Sequence, residues 1–247
     1  MSNQNQEWTA GQFSASNYVN YINQVLVDES EFKHFKANGA YNSIVGMGIE
    51  EQRVPHEQNI KESDLNIDLE FFRKNDFGHR LYDDKITLNT LRYISNLIQV
   101  YKFFGNMDNH TITELGIGFG GLGFTFKNIF KNIKYQFVDL DCVVKLTKKY
   151  LETIDNDMNG YIFDQEPIES DLFISEFCLS EFTMDSICYF YNKYCSKAKK
   201  VYILSNLHDA RYKSRFIELF NKDFNISIHD EFPKTSWDNY IIFGHKK

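Results

Sequence analysis

The segment Glu114-Leu115-Gly116-Ile117-Gly118-Phe119-Gly120-Gly121 sets a carboxylate and four glycines directly after an apolar run. A helical pattern follows at once, in Leu122, Phe126, Ile129 and Phe130. A backbone that must turn sharply there and let a ligand come close needs glycine, which has no Cβ to stand in the way. The chemistry implied is the binding of a nucleotide-like cofactor. The same residues also satisfy Gly116-x-Gly118-x-x-Gly121, the dinucleotide spacing, so the glycines alone leave the cofactor class open.

Other polar residues gather where a parallel sheet would place a site. Asp139 ends the second apolar run, where a carboxylate can accept hydrogen bonds from ribose hydroxyls, or cap the next helix. Asp164 and Gln165 follow the third run, Ser175 and Glu176 end the fourth, and Asn206, His208 and Asp209 follow the fifth. Ligands of open α/β sheets bind beyond the carboxyl ends of the strands, which puts all of these around one cavity. His208 is the first candidate for a general base, with Asp209 or a carbonyl to orient it; a surface loop histidine is the plainer alternative. Glu181 is the second, against a role with Ser180 at the start of a helix. Glu176 is the third, against a carboxylate pointing to solvent. The acidic group Asp155, Asn156, Asp157 and Asn159 lacks the residue that would complete a calcium loop. His79, His110, His208 and His245 lack zinc-site spacing, so no metal is expected.

Elements to position these residues are readable from the apolar pattern. Short runs at 111–115, 134–138, 160–163, 171–175 and 200–204 alternate with helical faces such as Val143, Val144, Thr147, Tyr150, Leu151 and Ile154. Phe182, Ile187, Phe190 and Tyr194 suggest another such face. That alternation predicts a parallel sheet covered by helices. After a helix near 211–220, the runs 224–228 and 240–243 read as two more strands. Upstream, Thr87 can cap a helix with the stripe Leu91, Ile94, Leu97, Ile98 and Tyr101, which Gly105 can end. Residues 16–27 read as an amphipathic helix through Tyr18, Tyr21, Ile22 and Val25. Residues 28–84, with short apolar groups such as Ile44-Val45 and Leu69-Glu70-Phe71-Phe72, are left open between helices, loops and a substrate lid.

A chain of 247 residues with 43% hydrophobic and 16% aromatic content can enclose a packed core, with disorder expected only in its first few residues. Its net charge of −7 weighs against phosphate backbones as partners. Cys142, Cys178, Cys188 and Cys195 show neither CxxC pairs nor a secreted framework, and are expected as mostly buried, reduced thiols. Neither a leader-like start nor a run of about 18 apolar residues is present, so the expected location is the cytoplasm, without membrane contact.

Glu114 two residues before the first glycine, the long stretch before the first strand and the closing pair of strands resemble class I S-adenosylmethionine-dependent methyltransferases. More narrowly, the chain is similar to the sugar O-methyltransferase family. That likeness rests on Leu91-Arg92, the Glu114 glycine loop, Asp139-Leu140, Asp171-Leu172-Phe173-Ile174-Ser175, Ser180-Glu181 and Asn206. It spans about residues 84–243. Asp141, where that family usually has proline, and Ser175-Glu176, where it has Asn or a small polar residue, depart from it. The resemblance implies an α/β fold with a Rossmann-like seven-stranded methyltransferase sheet and a helical N-terminal region. Residues 1–105 would form a cap or lid over the acceptor site and residues 106–247 the catalytic domain. It further implies that Glu114, Gly116, Gly118, Gly120, Asp139, Leu140, Asp164, Gln165 and Ser175 bind S-adenosyl-L-methionine, Asp164 or Gln165 against the adenine amino group.

The function so implied is methyl transfer to a hydroxyl of a sugar or other small acceptor, free or in a glycan. Nucleic acid is disfavoured as a partner, because the fourth strand ends in Ser175-Glu176-Phe177-Cys178 and not in the run that holds a flipped base. Assembly as a homodimer is left open. An NAD-dependent oxidoreductase and a non-catalytic cofactor-binding interaction protein remain the alternatives.

Overall fold

The structure is a computed structural model that describes residues 15–39, 41, 45, 50–78, 86–207, 209–234, 236 and 239–247. Expectations for residues 1–7, Ile44, His79 and His208 lie outside the described residues.

Seven strands form one sheet: β1 (Thr111–Leu115), β2 (Lys134–Val138), β3 (Tyr161–Ile162), β4 (Ser170–Glu176), β5 (Ala198–Ser205), β6 (Phe224–Asp230) and β7 (Tyr240–Lys246). Their order is β3-β2-β1-β4-β5-β7-β6. The first five are parallel, and β7 runs antiparallel between β5 and β6. The reading of 160–163 as a strand is corrected to two residues, because only Tyr135–Tyr161 and Gln136–Ile162 find partners.

Alternation along the strands splits the sheet into two buried faces. Ile112, Tyr135, Phe137, Leu172, Ile174 and Tyr202 share one core with α1 (Ala15–Val27), α5 (Leu88–Phe104), α6 (Gly121–Ile129) and α7 (Asp141–Ile154). Leu115, Val138, Phe173, Val201 and Ile203 face α8 (Met184–Lys193) and α9 (Ala210–Asp223). Helix α5 begins where its cap predicts, with Thr87 Oγ1 accepting from Thr90 N, and Gly105 follows its last turn at φ 80°. Among the described residues, the open stretch before it includes the short helices α2 (Glu29–Phe32), α3 (Arg53–Lys61) and α4 (Leu69–Lys74). Phe32, Phe35, Tyr41, Ile60 and Phe72 from this stretch join the same core as the sheet.

Two local readings change. Ser180 and Glu181 do not start a helix: they sit in a 3-10 turn, and α8 begins after Thr183, whose Oγ1 accepts from Ser186 N. All four cysteines are free, but only Cys195 is fully buried, since Cys142, Cys178 and Cys188 stand at the edges of packed faces. Among the described residues no helix is long and apolar enough to cross a membrane.

Candidate active site

The glycine loop between β1 and α6 has left-handed backbone at Gly116, Gly118 and Gly120. Gly116 has φ +84°, and a Cβ there would collide with the Cys178 side chain. Gly118 has φ +57°, and a Cβ would stand 3.3 Å from Val45 of the N-terminal region. The close approach that glycine permits is therefore made, in this structure, by the chain's own side chains. Phe177, with φ 62°, turns the chain after β4 so that Cys178 reaches the loop, and its N–H donates to Leu204 O at 2.7 Å. Non-glycine residues held in such backbone collect at functional sites. Gly116→Ala is expected to destabilise by more than the ~1–2 kcal/mol of left-handed strain alone, because Cys178 must also move. A chemical-denaturation midpoint equal to wild type would contradict this.

Asp139 braces the same loop. Its Oδ2 accepts from Ile117 N at 2.9 Å and its Oδ1 from Leu140 N at 2.7 Å. Burial pushes its carboxyl up to about 7, against the downward pull of those backbone N–H groups and of Gly118. Sequence reasoning offered a ribose ligand or a helix cap, and the loop brace was missed. With about four acceptor positions on a carboxylate and three backbone donors near it, little capacity is left for a ligand hydroxyl unless a loop bond is exchanged.

A cavity of about 330 Å³ opens beside Asp139 at the carboxyl edge of β2 and β3. Asp139, Leu140, Asp164 and Gln165 all line it, as does Asp141. Gln165 is spent on the frame: its Oε1 accepts from Asp139 N at 3.1 Å and its Nε2 donates to Asp141 Oδ1 at 3.1 Å. Asp164 Oδ1 accepts from Glu166 N. Val19 and Asn23 of α1, Cys142 and Lys145 of α7, Tyr189, Phe190 and Lys193 of α8 and Tyr194 just after it also line the wall. None of these was singled out from the sequence as a site residue. Phe190 and Tyr194 read as core positions, and Val19 and Asn23 fall outside the apolar stripe of α1, so only their place in the fold marks them.

The remaining candidates divide. Glu114 is buried under the loop and accepts from Tyr135 OH at 3.0 Å; burial and the nearby Glu176 push its carboxyl well up. Gly116, Gly118 and Gly120 border the site without lining the cavity. Ser175 does not line it either, since it is fully buried with its Oγ accepting from Leu179 N at 3.1 Å. Glu176 Oε1 accepts from Asn96 Nδ2 at 2.7 Å, and burial pushes its carboxyl up to about 7. Glu181 is exposed, within 3.4 Å of Asn206 Nδ2, while Ser180 Oγ donates to Asn206 Oδ1 at 2.8 Å. Asp209 caps α9 by accepting from Arg211 and Tyr212 N–H, a structural duty. The acidic group at 155–159 is closed by a cation of the chain itself: Lys127 Nζ pairs with Asp155 at 3.2 Å and donates to Asp157 O.

No family model matches this sequence, and no curated protein matches it. Solved structures do. The magnesium protoporphyrin IX methyltransferase from Synechocystis, solved with S-adenosylmethionine bound, matches at 11% identity and a TM-score of 0.51, over 81% of this chain and 98% of that one. The fold is the Rossmann-like methyltransferase fold. The mitomycin 7-O-methyltransferase (13% identity, TM-score 0.47, 90% of this chain and 74% of that one) is also similar. So is a candidate RNA methyltransferase from Pyrococcus horikoshii (14% identity, TM-score 0.48, 81% and 99%). At these identities the likeness is one of fold.

Proposed function

We propose that the protein is an S-adenosylmethionine-dependent methyltransferase that acts on a hydroxyl of a small acceptor, a sugar or similar molecule. The observation that carries this reading is the cavity beside the glycine loop, bounded by Asp139-Leu140 and Asp164-Gln165 at the carboxyl edge of a methyltransferase-type sheet. An adenosine group fits that lining: Asp139 offers a carboxylate at ribose height, Leu140 an apolar contact and Asp164 an acceptor for an amino group. The other end of the cofactor would lie along the glycine loop near Glu114, where Val45 and Cys178 would have to give way.

Strand order argues against the NAD alternative. A dinucleotide fold runs 3-2-1-4-5-6, whereas here antiparallel β7 enters between β5 and β6. The cofactor, when bound, supplies an activated methyl group, so the chain's task is to align the acceptor oxygen and take its proton. Glu176 is the base this reading selects, because its carboxyl ends β4 beside the glycine loop, is oriented by Asn96 and is pushed up to about 7. His208 and Glu181 remain the bases to compare with it. The expected partners are a small-molecule or glycan acceptor, with neither nucleic acid nor membrane.

Calorimetry tests the cofactor. S-adenosylhomocysteine is expected to bind and NAD to show no saturable binding; the reverse result would return the protein to the oxidoreductase alternative. Asp139→Ala is expected to weaken S-adenosylhomocysteine by about 1.5–3 kcal/mol and to lower the melting temperature as well, since Ile117 and Leu140 N–H lose their acceptor. Unchanged affinity with lowered stability would leave Asp139 as a loop brace alone.

A further inference from the structure

Methyl transfer at the cofactor cavity makes no use of a buried ammonium that stands behind the glycine loop. Lys36 lies in a 3-10 turn after α2 and is 0% exposed. Its backbone N–H donates to Gly78 O at 2.9 Å, so the segments before α3 and after α4 meet here. The side chain brings further elements together. Nζ stands 3.3 Å from Asp76 Oδ1, donates to the Tyr150 hydroxyl of α7 at 3.0 Å and lies 3.9 Å from the centre of the Phe119 ring. The rings of Tyr150 and Phe35 close the cage at 4.4 and 5.9 Å. An ammonium has three N–H donors; Asp76 and Tyr150 take two, and the third is left to the face of Phe119.

Phe119 belongs to the glycine loop itself. It stands between Gly118 and Gly120, both with left-handed backbone, and Gly120 N donates to Ile117 O at 2.8 Å. Its ring is buried, packs edge-on against Tyr150 and Tyr93, and passes so near Gly121 that a Cβ there would lie 2.6 Å from it. Phe119 does not line the cavity. A glycine-rich backbone has little of its own to fix its shape, so the ring at its centre is the handle by which packing can hold it. Asp76, the counter-ion of Lys36, accepts through Oδ2 from Thr87 N and Thr90 Oγ1 at the start of α5. One buried cation thus connects the loop to α5, α7 and the N-terminal region. A buried ion pair adds little net stability over apolar residues of the same volume, so stability alone explains a charge at this place poorly. A desolvated cation over a ring face, by contrast, fixes both partners in one geometry.

We propose that Lys36 is a positioning residue for the cofactor: clamped by Asp76 and Tyr150, its ammonium holds the Phe119 ring, and through it the backbone from Ile117 to Gly120, in the shape that receives S-adenosylmethionine. This rests on the methyltransferase reading and adds to it a residue that touches neither cofactor nor acceptor. It also makes the N-terminal region part of cofactor binding, and the coupling is reciprocal, so bound cofactor holds the Lys36 cage closed. The charge gives the arrangement a pH signature. Burial pushes Lys36 down to about 8 against the upward pull of Asp76, so the ammonium is lost from the folded protein above that pH. Asp76 supplies the counter-charge. On α7 the Tyr150 hydroxyl is held far above its usual range by burial and by Asp76, as burial holds Tyr93 of α5 beyond it, and both keep their protons. Phe35 and Phe119 have none to lose. Affinity for the cofactor should accordingly fall as pH rises through about 8.

Calorimetry with S-adenosylhomocysteine tests this on the full chain, Lys36→Met, Phe119→Leu and the double variant, at pH 7 and pH 9. Each single variant is expected to raise Kd about tenfold or more at pH 7, and the double variant no further than the larger single effect, because both act through one contact. Between pH 7 and pH 9 the wild type should lose several-fold more affinity than either variant, since the ligand's amino group, Asp139 and Glu176 titrate alike in all of them. Tyr191→Phe gives up a hydrogen bond to Asp223 on the other face of the sheet; it is the comparison for lost stability and should leave Kd unchanged. If Lys36→Met does not fold, the pH comparison between wild type and Phe119→Leu carries the test. An unchanged Kd in Lys36→Met, effects that add in full in the double variant, a Kd raised as much by Tyr191→Phe, or one pH dependence shared by all would each overturn the positioning role. A wild type that binds no S-adenosylhomocysteine at either pH would instead overturn the methyltransferase reading, and this inference with it.

Discussion

Glu176→Gln is expected to lower kcat about 10²–10⁴-fold while S-adenosylhomocysteine still binds as in the wild type, the usual contribution of a positioned base. The amide keeps the size of the side chain but cannot take a proton. A pH profile sharpens the expectation. A carboxyl pushed up to about 7 is protonated and idle below that pH, so wild-type kcat/KM should climb about tenfold per pH unit on the acid side and level off above 7. The residual activity of Glu176→Gln should lack that limb.

The same group also links activity to stability. Its folded-state pKa is raised, so the stability it contributes is present below about 4.5 and is lost as pH rises through about 7. Glu176→Gln should therefore gain stability over the wild type at pH 8 more than at pH 5. Glu181→Gln and His208→Ala are the comparisons. If His208→Ala loses turnover and the acid limb while Glu176→Gln keeps both, the proton goes to the histidine and Glu176 is left as a ligand of Asn96.

Where the chain follows one hydrophobic period, its elements are legible. The bounds of β1 and β2 agree with the apolar runs at 111–115 and 134–138, and α5 begins and ends at the residues its cap and glycine indicate. The stretch 28–84 fails for a physical reason: Lys36, Gln52, His56 and Asn59 are polar yet buried there. A reading by hydrophobic pattern assigns such residues to the surface and loses the helix faces with them. The candidate site divides along the same line. Asp139, Leu140, Asp164 and Gln165 stand at strand ends, a position that sequence order alone supplies, and they meet at one cavity. The walls from α1 and α8 depend on how distant helices dock, which no local spacing encodes. Nor did composition foretell that Gln165 would be spent on Asp139 and Asp141, or that Cys178 would fill the face of Gly116.

Lys36 is the sharpest case of a polar residue in the core, and its pairing predicts an asymmetric mutational result. Its ammonium is fully buried, 3.3 Å from Asp76 Oδ1 and 3.0 Å from the Tyr150 hydroxyl, and lies over the ring of Phe119 in the glycine loop. Asp76 Oδ2 in turn accepts from Thr87 N and Thr90 Oγ1 at the start of α5. Removing one partner of a buried ion pair strands the other, so Asp76→Ala should cost about 3–5 kcal/mol at pH 7, whereas Lys36→Met, which keeps the volume and leaves Asp76 its hydrogen bonds from Thr87 N and Thr90 Oγ1, should destabilise by less. Burial pushes Lys36 down to about 8, so between about 8 and 10.5 the unfolded chain holds a proton that the folded one has released, and stability should rise with pH across that window. The loss in Asp76→Ala should accordingly shrink at pH 10, where the folded-state lysine is neutral, and the Lys36→Met/Asp76→Ala double variant should recover part of it. Urea melts at pH 7 and pH 10 measure all four proteins. Equal destabilisation by both single variants, independent of pH, would mean that the pair contributes by packing and that its charge holds nothing against the glycine loop.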